Sequence, residues 1–124
     1  MFDFSAKPAP ETATDEREER LYCAACGREV TRGRWRVTVQ EDHEHTFFNP
    51  AGMVFRIGCF REAPGASPQG EPSTRFTWFR GYRWRIAVCG GCREHLGWLF
   101  TGVGEPPAFF ALILGKLTAT PGRP

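Results

Sequence analysis

The chain has 124 residues, of which 41% are hydrophobic and 24% charged, with a formal net charge of +2. That length supports one domain with a modest core. No stretch approaches the roughly 20 apolar residues of a membrane span, and the N-terminus has no apolar secretory core, so a membrane protein and an exported one are both disfavoured.

The charge is uneven. Residues 1–20 carry a net −3 and the other 104 a net +5. The acidic, proline-containing stretch 1–20 has little to bury and is expected to be a disordered tail, with an ordered domain over 21–120. From Thr31 a strand is expected, because Trp35, Val37 and Val39 alternate with Arg34, Arg36 and Thr38. EDHEHTFFNPAG (41–52) reads as a loop ending in the turn-forming Asn49-Pro50 and Gly52. MVFRIGCF (53–60) reads as a strand, and PGASPQGEPS (64–73) as a loop rich in proline and glycine. RFTWF (75–79) and YRWRIAVC (82–89) read as two strands around Arg80-Gly81, with Tyr82, Trp84, Ile86 and Val88 on one face. HLGWLF (95–100) is another short strand. PPAFFALIL (106–114) fits a buried strand as well as a helix; strand is preferred, with a turn of helix after Gly115.

Two Cys-x-x-Cys pairs, Cys23/Cys26 and Cys89/Cys92, frame this sheet region. Two intervening residues let both thiolates of a pair point at one ion at about 2.3 Å. Gly27, Gly90 and Gly91 permit the positive φ of tight knuckle turns. Together the pairs offer a closed four-sulfur shell for one zinc ion per chain, structural rather than catalytic. The 62 residues between the pairs exceed a finger's spacing, so the ion clips two ends of an inserted sheet domain. Paired cysteines without an export signal indicate a reducing compartment, with the cytoplasm expected. A zinc ion held by four thiolates contributes −2 and leaves the folded part near +3, short of the dense basic stripe that nucleic acid demands. Cys59, in an apolar strand, reads as a small buried hydrophobe. His43, His45 and His95 read as solvated or hydrogen-bonded rather than as ligands. A cytidine-deaminase signature is absent, since Glu44 directly follows His43 and Val88 precedes Cys89.

Trp78, Trp84 and Trp98, with Phe100, surround the second pair. Aromatic stripes are usually core. Buried indoles need partners for their N–H groups, however, and three tryptophan walls also make a cage for a flat or cationic ligand. The run from Trp78 to Phe100, W-F-x-G-Y-x-W-x-x-A-x-C-x-x-C-x-x-H-L-G-W-x-F, closely resembles the thalidomide-binding CULT domain of the cereblon family. So do the first knuckle, FNPAGMVF (48–55) and FFALI (109–113). The resemblance covers about residues 21–118 and is nearest to the family's free-standing bacterial members. It implies a mainly β fold, a β-tent of two antiparallel sheets packed at a steep angle and pinned by the four-cysteine zinc site. It also implies that Trp78, Trp84 and Trp98 are cage walls over a Phe100 floor. Asn49 and Pro50 would approach the ligand from their loop, and Phe76 and Thr77 would lie on the strand before the first tryptophan. The implied ligands are cyclic imides such as glutarimide, and uracil-like rings such as uridine. The Phe76 carbonyl and Trp78 N–H would hold the imide edge. Animal family members carry histidines where Ala51 and Phe76 stand, so those side-chain hydrogen bonds are missing here.

The expected function is therefore small-molecule binding, without catalysis, by a monomer with no membrane, nucleic-acid or ubiquitin-ligase adaptor partner. One alternative is an aromatic-cage reader of methylated ammonium. Against it, Glu94 is the lone acid amid Arg75, Arg80, Arg83, Arg85 and Arg93. The other is a β-tent enzyme, for which Cys59 is a poor nucleophile in its hydrophobic strand.

Overall fold

A computed structural model describes residues 18–120. The expectation of disorder over 1–20 therefore falls mostly outside the described residues. In chain order the strands are β1 (Arg20–Cys23), β2 (Glu29–Arg32), β3 (Glu44–Phe48), β4 (Val54–Phe60), β5 (Ala66–Ser73), β6 (Tyr82–Cys89), β7 (His95–Gly102), β8 (Ala108–Ile113) and β9 (Leu117–Thr118). They form two antiparallel sheets, a three-stranded β9–β1–β2 and a six-stranded β3–β4–β8–β7–β6–β5. The mainly β class and the two-sheet layout agree with the sequence expectation.

Two hydrophobic clusters hold this arrangement. Leu21 and Val30 of the small sheet meet Phe60, Leu96 and Leu112 of the large one. A second cluster, containing Ile57, Phe79, Phe100 and Phe109, lies beneath the tryptophans. Phe60, Phe79, Phe100 and Phe109 are fully buried, which stabilises the fold by about 1.5–3 kcal/mol each.

β7 and β8 approach unusually closely at Gly97. A Cβ there would sit 2.1 Å from the Ala111 carbonyl oxygen. Backbone cannot yield as a flexible side chain would. Gly97→Ala is thus expected to cost about 1–3 kcal/mol of stability, read as a lowered urea midpoint. An unchanged midpoint would contradict this packing.

Four local expectations are corrected. The period-two run 31–39 is not one strand: β2 ends at Arg32, and a 3-10 turn spans Gly33–Trp35. The rest touches β4 by the single bridge Arg36↔Phe60 and then doubles back at Val39↔Asp42. Gln40 and Glu41 make that turn with φ of 53° and 75°. The 41–52 loop contains β3. His45 serves there as an inward aromatic, because its Nε2 lies 2.9 Å from the Val39 carbonyl oxygen and its ring stacks on Phe47. The 64–73 loop contains β5, whose prolines are tolerated because β5 is an edge strand. Finally, 75–79 is a turn rather than a strand. Its aromatic content suggested a strand, yet Phe79 plunges into the core while Phe76 adopts φ 57°. At the C-terminal side, β8 is a strand as expected, and the helical turn falls at Leu114–Lys116.

Candidate ligand pocket and metal centre

Each Cys-x-x-Cys pair lies on a tight turn with the same hydrogen-bond scheme. In the first, the Cys23 N–H donates to Arg28 O (2.8 Å) and the Gly27 N–H to Cys23 O (2.8 Å). In the second, the Cys89 N–H donates to Glu94 O (2.8 Å) and the Arg93 N–H to Cys89 O (3.0 Å). The first turn joins β1 to β2 in the small sheet, and the second joins β6 to β7 in the large one. The residue after the second cysteine takes positive φ in both, 82° at Gly27 and 72° at Arg93. This corrects the role expected of Gly90 and Gly91, neither of which has positive φ. Gly91 instead leaves room beside sulfur, since a Cβ there would lie 3.6 Å from Cys26 Sγ and 3.7 Å from Cys89 Sγ.

The four sulfurs lie within 4.8 Å of one another and can hold a metal ion. Cys23 Sγ is 3.7 Å from Cys92 Sγ, and Cys26 Sγ is 3.6 Å from Cys89 Sγ. A tetrahedron with metal–sulfur bonds of 2.3 Å has edges of about 3.8 Å, which these two distances match. Burial pushes the Cys23 thiol up to about 12. Burial acts the same way on Cys89, but the Cys92 and Gly91 N–H groups and the neighbouring thiols outweigh it and lower Cys89 to about 7.

The cage is built largely on one sheet face. Trp84 pairs across strands with Phe100, and Ile86 with Trp98, so all four side chains share that face. Trp78 reaches over them from the 74–81 turn. Its ring centroid is 4.7 Å from that of Trp98, nearly edge-on at 72°. Phe55 completes this side, 5.2 Å from Trp98. The tryptophans are half-buried, and Phe100 beneath them is 1% exposed. Together they enclose a cavity of about 600 Å³, within the range of small-molecule sites.

Hydrogen bonds fix the walls. Trp78 Nε1 donates to Phe48 O (3.1 Å), tying the turn to β3. Trp84 Nε1 donates to Arg75 O (2.8 Å), tying the same turn to β6. Phe79 anchors it from below, with ring centroids of Phe100, Phe109 and Phe47 at 4.9, 5.1 and 5.2 Å. His95 packs edge-on against Trp98 at 4.8 Å and hydrogen-bonds the Gly97 carbonyl through Nε2 (3.0 Å). Burial holds its pKa below the ordinary value, which leaves the ring neutral at pH 7.

No family model matches the chain. Curated relatives do. Protein cereblon of Drosophila grimshawi is 32% identical over 130 residues, 90% of this chain and 19% of that protein. Protein cereblon of Danio rerio is 38% identical over 77 residues, 60% of this chain and 18% of that one. The Drosophila melanogaster protein is 35% identical over 98 residues, 73% and 16%. The chain belongs to the cereblon CULT-domain family. It spans less than a fifth of the length of the cereblon proteins it matches. What it shares with cereblon is one ligand-binding domain of CULT type.

Within this CULT domain, the residues singled out in the sequence come together with one exception. Asn49, Pro50, Phe76, Trp78, Trp84, Trp98 and Phe100 all line the cavity. Thr77 does not; its hydroxyl turns back on the Phe79 main chain. Asn49 Oδ1 is used within its own turn, accepting from the Met53 N–H (2.8 Å), which leaves its NH₂ as the available donor. The Phe76 carbonyl and Trp78 N–H lie on a turn and have no hydrogen-bond partner among the described residues. Sequence reasoning missed Met53, Phe55, Arg75, Ile86, His95, Ile113 and Lys116 as lining residues. Phe55 had a signal in the FNPAGMVF segment. Lys116 had none, because only the β9–β1 pairing brings it round.

Proposed function

We propose that this domain is a small-molecule binding module whose tryptophan cage takes neutral cyclic imides of the glutarimide type and uracil-like rings. The observation that carries this reading is the cavity itself: three half-buried tryptophans over a buried Phe100, bordered by a turn whose Phe76 carbonyl and Trp78 N–H have no hydrogen-bond partner among the described residues. An imide edge presents a donor flanked by acceptors, complementary to such a pair. In a water-poor aromatic box those hydrogen bonds count for more than they do in solvent. The wall-fixing bonds of Trp78 and Trp84 make the box preformed, so little ordering cost falls on binding.

The four-cysteine centre is proposed to hold zinc in a structural role, since all four positions of the shell are protein thiolates. Binding without catalysis is favoured by Cys59, the cysteine outside the cluster. It is 0% exposed, and burial pushes its thiol up to about 12, which leaves it unreactive. An ammonium reader is disfavoured because no acidic residue lines the cavity, while Arg75 does.

Indole fluorescence of the zinc-loaded protein tests this directly. Glutarimide and uridine are expected to give a saturable change, and N-methylglutarimide is expected to bind at least about tenfold more weakly, because methylation removes the imide hydrogen bond and leaves the Phe76 carbonyl without a partner on the ligand. Saturation by tetramethylammonium alone would move the cage to the cation-binding class. Silence from every ligand would reject the binding function.

A further inference from the structure

The cavity has an electrical polarity that a neutral ring does not use. Its lining contains two cationic side chains, Arg75 and Lys116, and no carboxylate. Lys116 is already neutralised by an ion pair with Glu94. Arg75 forms no ion pair among the described residues. It shares the lining with Phe76 and Met53, which are 65% and 58% exposed and mark the mouth through which a ring substituent would leave the cage.

The position of Arg75 is held rather than incidental. Its carbonyl accepts the Trp84 indole N–H, so its backbone is tied to a cage wall. Its guanidinium carbon lies 5.4 Å from the Phe76 ring centroid, a cation–π contact that restrains the side chain at the mouth. The free NH₂ of Asn49 adds a neutral donor to the same lining. Neutral His95 adds no competing charge. A guanidinium without a carboxylate, restrained beside an apolar box, matches an anion carried on the ligand's exocyclic arm. Its planar fork suits carboxylate or phosphate alike.

We propose that the pocket selects imide-type ligands bearing an anionic substituent, a carboxylate or a phosphate, and that Arg75 is the specificity-determining residue. This rests on the cyclic-imide reading of the cage. Calorimetry on the full zinc-loaded chain tests it with two matched pairs. One is uridine against uridine 5′-monophosphate. The other is glutarimide against a glutarimide carrying a carboxylate. The readout is the anionic-to-neutral affinity ratio within each protein variant.

At low salt, at least one anionic member is expected to bind the wild type about fivefold tighter than its neutral partner, the scale of an exposed charge pair. Which pair shows the gain identifies the anion. The ratio should fall toward one in Arg75→Gln, recover in part in Arg75→Lys, and shrink as salt is raised. Equal affinities in both wild-type pairs would overturn the proposal while leaving the imide cage intact. So would a ratio that survives Arg75→Gln. Failure of all four ligands to bind would reject the cage reading and this inference with it.

Discussion

Stripping the metal from the four-cysteine centre is expected to unfold the domain rather than loosen it locally. The three-stranded sheet has strands of only four, four and two residues, too little to persist by itself. The knuckles join that sheet to the large one, and Cys23 and Cys89 are themselves part of the core between them. A structural zinc site contributes about 10–16 kcal/mol of apparent binding free energy at pH 7. That is comparable to the whole stability of a typical domain, about 5–15 kcal/mol. Chelation or Cys89→Ser should therefore lower the melting temperature by about 20 °C or more, followed by far-UV circular dichroism. Added zinc should restore the chelated wild type and not the variant. Acidification should mimic chelation, because protons compete with metal for the thiolates. A melt indifferent to chelator would contradict a structural metal.

Trp98→Ala is expected to have the largest effect on ligand binding. Trp98 is the wall against which the others are set, with Trp78, His95 and Phe55 at 4.7, 4.8 and 5.2 Å. Deleting it opens the cavity and leaves Trp78 without its edge-on partner. Loss of such a central aromatic typically costs 2 kcal/mol or more, about 30-fold in imide affinity. It should also cost about 3 kcal/mol of stability, since Trp98 packs on the cluster under the cage. Trp84→Phe separates wall from latch. It keeps an aromatic surface but removes the 2.8 Å bond to the Arg75 carbonyl, so the main expected change is faster ligand release as the 74–81 turn loosens. Imide affinity of Trp98→Ala within threefold of wild type would place the ligand elsewhere.

Much of this was legible in the sequence for identifiable reasons. The Cys-x-x-Cys spacing constrains its own geometry, and both pairs converge on one cluster. The alternation in YRWRIAVC and HLGWLF puts Trp84 with Ile86 and Trp98 with Phe100, and the cross-strand register then brings the two pairs onto one face. What was not legible depended on tertiary context. Pro68 and Pro72 read as loop residues until an edge position makes their missing N–H groups harmless. His45 reads as polar until its ring nitrogen finds the Val39 carbonyl. Trp78 and Phe79 read as strand because aromatic residues favour strands. In fact the turn that carries them is held by an anchor below and two indole hydrogen bonds above. The same turn moves the main-chain groups proposed to hold an imide off a strand edge and onto a bend at Phe76, where φ is 57°. Strain of that kind in a non-glycine residue persists where surrounding contacts over-determine it, and it recurs at ligand sites.

The cage and its bordering turn are proposed to form one preformed imide site. A crystal structure of the zinc-loaded protein with glutarimide tests it most directly. The ring is expected between Trp78, Trp84 and Trp98 above Phe100, its N–H donating to the Phe76 carbonyl and one oxygen accepting from the Trp78 N–H, with the walls where they stand without ligand. A ring bound outside the cage, or tryptophans closed on one another with the ligand excluded, would contradict it.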